Sequence, residues 1–174
     1  MDDNFSFRQF VLSQPLPPVI LCIGSPKVAG DSFGPITGKL LTESFYLPTE
    51  VYGTCDNPVH ALNFAAETEK IRLIHPDRKI IAVDSAVCAS GKPGRIRIFP
   101  GPIYPGLAAG KNLGAVGDWS IVAATGAKNK NELFYADLKF VETLSIKAAI
   151  AIKAAFSLRK RLPSAKEYFY YNIK

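Results

Sequence analysis

Five consecutive apolar residues, Val19, Ile20, Leu21, Cys22 and Ile23, stop at Gly24 and lead through a short turn into Gly30-Asp31-Ser32-Phe33-Gly34-Pro35. Lys79-Ile80-Ile81-Ala82-Val83-Asp84 repeats the theme, an unbroken apolar run closed by an aspartate. A strand that is apolar at every position is buried on both faces, which is the condition of a parallel sheet covered by helices. These two runs therefore restrict the chain to an α/β architecture. Ligands of open α/β sheets collect at the carboxyl ends of the strands. Asp31 and Asp84 both stand there. Asp is also a favoured helix N-cap, and for Asp31 a cap role alone is the competing reading.

The rest of the chain fits around those runs. Residues 1–17 carry Phe5, Phe7, Phe10, Val11 and Leu12 and read as an amphipathic N-terminal extension, ended by Pro15, Pro17 and Pro18. A strand over 18–24 precedes a helix over 33–46, whose apolar face is Phe33, Ile36, Leu40, Leu41 and Phe45. Gly38 weakens that helix by ~1 kcal/mol relative to Ala, and a close helix–sheet approach would account for it. A short strand over 49–53, a helix over 57–74 and the strand over 79–84 follow. Residues 95–99 alternate polar and apolar, as an edge strand does. Residues 119–126 form another strand and 132–161 one long helix with Pro163 beyond its end. The tail, 162–174, holds Tyr168-Phe169-Tyr170-Tyr171, an aromatic run expected to fold back on the domain or meet a partner chain. The order β-α-β-α-β-β-loop-β-α predicts one α/β domain over 1–174: a three-layer α/β/α fold with a mostly parallel, twisted sheet of about five strands.

Composition narrows the function. Apolar residues make up 48% of the 174 and charged residues 21%, which suits a folded globular chain. The net charge is +6, but its cations near the end, such as Arg159, Lys160 and Arg161, have no nucleic-acid motif beside them. They read as a solvated helix end, so no nucleic-acid partner is expected. The three cysteines, Cys22, Cys55 and Cys88, are too scattered for a zinc site or a disulfide framework. Neither a signal peptide nor a membrane-length apolar run is present, so a cytoplasmic, membrane-free protein is expected.

The two aspartates carry the chemistry. In a doubly wound sheet the strands before them are often neighbours, and both carboxylates then face one crevice. Two close carboxylates cannot both ionise easily, which leaves one acid and one base to activate water. They could also chelate a metal. Other readings of these loops lack their motifs. There is no Gly-x-Gly-x-x-Gly, no P-loop and no Gly-x-Ser-x-Gly elbow. A cysteine nucleophile needs a histidine, yet His60 sits near the start of the second helix and His75 beyond its end. Residues 100–118 form the longest stretch without periodicity, and long loops in compact domains are often functional.

Ile23-Gly24, Gly30-Asp31-Ser32-Phe33-Gly34-Pro35, Val51-Tyr52-Gly53-Thr54, Pro58-Val59-His60-Ala61-Leu62, Ile81-Ala82-Val83-Asp84, Gly101-Pro102-Ile103-Tyr104-Pro105-Gly106, Lys111-Asn112-Leu113 and Val116-Gly117-Asp118 resemble, in this order, the sporulation protein YyaC family. That family looks like a compact relative of the spore germination protease and, more distantly, of the hydrogenase-maturation endopeptidases. The resemblance implies a phosphorylase/hydrolase-like fold and a cytoplasmic, forespore-type endopeptidase. Its substrates would be small acid-soluble spore proteins or other sporulation proteins. Asp31 and Asp84 match the catalytic pair proposed for the germination protease. Gly30 and Ser32, with Gly101, Pro102, Gly106, Lys111 and Asn112 of the long loop, are the expected substrate-binding residues. Hydrogenase-maturation enzymes use a histidine as a third metal-binding group, and none occurs in 100–118, so no metal and no cofactor are expected. A homo-oligomer and a non-catalytic binding or regulatory role on the same fold stay open.

Overall fold

The computed structural model describes residues 3–88, 93–106, 113–127, 133 and 135–159. In chain order these form α1 (Asp3–Ser13), β1 (Val19–Cys22), α2 (Phe33–Lys39), β2 (Val51–Tyr52), α3 (Phe64–Ile74), β3 (Ile80–Cys88), β4 (Ile96–Pro100), β5 (Trp119–Ala127) and α4 (Leu138–Ser157). The strands make one sheet in the order β2-β1-β3-β5-β4. All neighbours are parallel except β4 and β5. From β1 the chain first moves outward to β2 and then crosses back to β3 on the other side. The crevice between the carboxyl ends of β1 and β3 is thus the topological switch point, where ligands of such sheets bind.

The doubly apolar runs are buried as their pattern requires. Ile20, Cys22, Ile81, Val83 and Ile121 pack under α1, α2 and α4, against Phe7, Phe33 and Phe156. Val19, Leu21, Ile80 and Ala82 face the other way, against Phe64 and Ile71 of α3. Each large side chain buried this way contributes roughly 1.5–3 kcal/mol. The N-terminal extension is part of this core: Phe7 and Phe10 sit 5.7 and 5.3 Å, centroid to centroid, from the Trp119 ring. At Gly38 a Cβ would come within 2.7 Å of the Gly53 carbonyl oxygen and 3.3 Å of Cys22 Sγ, which confirms the close helix–sheet approach. No helix among the described residues is long and apolar enough to cross a membrane.

Four boundaries differ from expectation. The first helix keeps α-geometry only through Lys39 and continues as a π-helical turn over Leu40–Ser44. The second begins at Phe64 rather than 57, because Val59 pairs with Ile23 and extends the sheet. Asn63 then closes the turn, accepting from the His60 N–H (2.8 Å) and donating to the Pro58 carbonyl (3.0 Å). Strand β3 runs past Asp84 to Cys88, held by β5. The last helix starts at Leu138, capped by Asp137, whose carboxylate accepts from the Lys139 N–H at 2.9 Å. Within the 100–118 stretch, Ile103 and Val116 are buried and joined by an antiparallel bridge. The tail at 162–174 lies outside the described residues.

Candidate active site

Strand β1 stops at Cys22, opposite Val83 of β3. Asp84 is the next residue of β3 and the first without a β1 partner. Into the space beyond β1 the chain brings back Asp31, at the end of a 3-10 turn over Ala29–Asp31. Asp31 Oδ2 accepts the Ser25 N–H at 2.8 Å, which closes the loop on itself. Its Oδ1 accepts the Ser85 hydroxyl at 3.3 Å, and the Ser85 N–H donates to Asp84 Oδ1 at 2.8 Å. One serine therefore touches both carboxylates. The two aspartates line a single cavity of about 330 Å³, together with Gly24, His60, Gly106 and Leu133.

Burial pushes the Asp84 carboxyl well above the usual 3.8, and the nearby Asp31 charge pushes it further; its own neighbour's N–H opposes this only in part. Burial also raises Asp31, against the Ser25 N–H, the Ser85 hydroxyl and the field of His60. Like charges at this separation favour one shared proton. Asp31 has more donors, so Asp84 is the carboxyl of the pair that holds its proton more strongly. Carboxyl NMR shifts followed against pH are expected to show Asp84 titrating well above 3.8, and Asp31→Asn is expected to lower that midpoint by removing the neighbouring charge. An Asp84 midpoint indifferent to Asp31→Asn would contradict the coupling.

Asp31 is not the cap of α2. Ser32 holds that position, without a side-chain capping bond, while the Asp31 carboxylate turns to Ser25. The expected substrate-binding residues divide. Gly106 lines the cavity between the aspartates, and Pro102 and Gly106 line a larger one that adjoins Asp84. Gly30 and Ser32 have structural partners instead of a place on either wall. The Gly30 carbonyl accepts from Thr125 Oγ1 at 2.7 Å, and a Cβ there would stand 2.7 Å from the Leu133 backbone. Ser32 is buried and donates to the Ala29 carbonyl at 2.6 Å. Gly101 also lies off both walls, its carbonyl bonded to Ser120 Oγ at 2.7 Å. Lys111 and Asn112 lie outside the described residues.

Sequence reasoning missed Ser85 and the position of His60. A serine after an aspartate has no signature; only the register of β3 on β5 brings it to the site. His60 faces the cavity because Val59 is tied to β1 and not to a helix, and its buried Nδ1 has no hydrogen-bond partner among the described residues. Cys22 is fully buried with its thiol pushed far up, and His75 is engaged by Tyr52 Oη at 2.9 Å. Among the described residues no three His, Cys, Asp or Glu side chains are grouped to hold a metal ion.

The same topology occurs in a solved protein. The crystal structure of the [NiFe] hydrogenase maturation protease HycI from Thermococcus kodakarensis KOD1 superposes with a TM-score of 0.56, over 86% of this chain and 97% of that one, at 17% identity. At that identity the likeness establishes the fold. The uncharacterized protein YyaC of Bacillus subtilis (strain 168) is 35% identical over 118 residues, 68% of this chain. The match spans 58% of that relative's length. The family described as a protein of unknown function (DUF1256) matches residues 4–154. The chain belongs to that DUF1256 family.

Proposed function

We propose that this protein is an aspartate-dependent endopeptidase that acts on sporulation proteins, small acid-soluble spore proteins among them. One observation carries the reading: two carboxylates converge at the switch point of the sheet, bridged by Ser85, on the wall of one cavity of about 330 Å³. Ionised Asp31 takes a proton from a water held between the pair, and the water oxygen attacks the peptide carbon. Protonated Asp84 donates to the carbonyl oxygen as it becomes negative. The tetrahedral diol collapses when the proton held on Asp31 passes to the leaving nitrogen and one diol hydroxyl returns its proton to Asp84, which releases the amine and the carboxylic acid and restores the starting pair. Gly106 stands on the wall of the same cavity.

A rival reading, a binding or regulatory protein on the same fold, draws on the Asp31–Ser25 bond, which a purely structural aspartate would also make. The experiment that separates them is incubation of purified small acid-soluble spore proteins with the wild-type chain and with Asp84→Asn, read by mass spectrometry. Defined new termini with the wild type alone are expected. Intact substrate in both would favour the binding protein.

A further inference from the structure

Among the described residues, three polar side chains line the cavity between the aspartates: Asp31, Asp84 and His60. The hydrolysis scheme uses the two acids and leaves His60 over. His60 also lines a second cavity, of about 500 Å³, at the carboxyl end of β2, with Tyr52, Thr54, Asn57 and Asn63. The imidazole thus stands in the wall that the two cavities share. It lies on the Asp31 side of the pair: its field acts on Asp31, whereas the charge that acts on Asp84 is that of Asp31.

The main chain holds this ring in place. Val59 is bridged to Ile23, and its carbonyl accepts the Gly24 N–H at 2.8 Å. The His60 N–H donates to Asn63 Oδ1 at 2.8 Å, and the His60 carbonyl accepts from the Asn63 and Phe64 N–H groups at 3.1 and 2.9 Å. With the backbone satisfied, only the ring is left over. Its Nδ1 is buried with no hydrogen-bond partner among the described residues, so the ring meets the cavities through its Nε2 edge. A buried polar atom without a partner costs stability. A side chain that only filled this wall would do so better as an apolar one.

Hydrogen-bond accounting places the proton. A neutral imidazole carries one N–H, and a buried N–H without an acceptor is the rarer orphan. The proton of the neutral ring therefore sits on Nε2. In the charged ring Nε2 carries one as well. In either form His60 offers the cavity a donor. A peptide brings main-chain carbonyl oxygens that need donors, and ionised carboxylates supply none.

We propose that His60 is a substrate-binding residue whose Nε2–H donates to a main-chain carbonyl of the peptide, on the Asp31 side of the scissile bond, where the chain passes toward the cavity at the end of β2. The proposal rests on the endopeptidase reading and adds the contact that aligns its substrate.

The test uses purified small acid-soluble spore protein as the probe. Binding is measured on Asp84→Asn protein and cleavage on chains with Asp84 intact, each with His60, His60→Gln or His60→Phe. Glutamine places an amide N–H near the Nε2 position, whereas phenylalanine keeps a ring and offers no donor. His60→Phe is expected to weaken binding and raise KM by about threefold to tenfold, the range of one net hydrogen bond, with the loss in KM rather than in kcat. His60→Gln is expected to recover most of that loss. The Tm of His60→Phe is expected to equal or exceed that of the wild type, because the orphaned Nδ1 is gone. Ring ¹⁵N shifts of the histidine-labelled Asp84→Asn protein are expected to show the neutral ring protonated on Nε2. A proton on Nδ1, a lowered Tm for His60→Phe, or two variants that bind alike overturns the proposal. Cleavage with a KM that His60→Phe leaves unchanged overturns it and leaves the peptidase reading standing. A Gln–Phe contrast in binding with no cleavage by the wild type sustains the contact and places the failure on the peptidase reading. A probe that is neither bound nor cleaved overturns both.

Discussion

Asp84→Asn is expected to lower turnover by about 10²–10⁴-fold, the usual contribution of a general acid–base group, while making the protein more stable at neutral pH. The two effects share a cause. The folded protein holds the Asp84 carboxyl protonated far above its ordinary value, through burial and the Asp31 charge. The unfolded chain releases that proton near pH ~3.9. Between that pH and the raised folded value the native state binds more protons than the unfolded state, so stability falls as pH rises. Above the folded value the cost is fully present. Asparagine keeps the oxygen that accepts the Ser85 N–H and removes the titration. A gain in melting temperature at neutral pH is expected. The gain should vanish below pH ~3.9, where both states are protonated. A neutral-pH Tm lowered by the substitution would contradict the buried, proton-holding Asp84. Asp31→Asn should lose activity on the same scale, since its replacement can still accept from Ser25 but cannot act as a base.

Gly34→Ala is expected to be strongly damaging. A methyl group there would stand 2.1 Å from the Ile23 carbonyl oxygen and 2.8 Å from the Ile23 nitrogen. Both are backbone atoms at the end of β1, fixed by the Ile23 N–H bond to the Val83 carbonyl at 2.7 Å and by the bridge to Val59. No side chain can swing away, so α2 must lift off the sheet. Overpacking of this kind costs roughly 1–3 kcal/mol and sometimes more, against a helix-propensity gain of only about 1 kcal/mol. The clash is with backbone, and the upper end is expected: a Tm loss of about 6–12 °C at the scale of about 2–4 °C per kcal/mol. Activity should fall further than unfolding explains, because α2 follows the loop that carries Asp31. Thermal melts and turnover on the same preparation check both, and an unchanged Tm would contradict the close packing of α2 on β1.

The fold was legible where apolar runs were long. The runs at 19–23 and 80–83 are apolar at every position because helices cover both faces, and their ends marked Asp31 and Asp84. What the sequence hid was set by long-range pairing. A polar residue ends an apolar run, so Asp84 read as the end of its strand. In the fold, β1 stops one residue short of it, the gap admits a carboxylate, and β5 carries β3 on to Cys88. Residues 57–63 read as helix because their composition allows it; the bridge from Val59 to Ile23 overrides that local preference. The same bridge carries His60 into the cavity. Ser85 could not be singled out, since its value lies in touching two carboxylates far apart in the chain.

The most direct measurement of the central claim is hydrolysis in H₂¹⁸O. Protein extracted from sporulating cells is incubated with the wild-type chain, Asp31→Asn and Asp84→Asn, and new peptide termini are read by mass spectrometry. The account predicts ¹⁸O in the new carboxyl termini made by the wild type, and none above background with either variant. Equal formation of labelled termini by wild type and both variants would contradict it, as would a wild-type protein that makes no new termini at all.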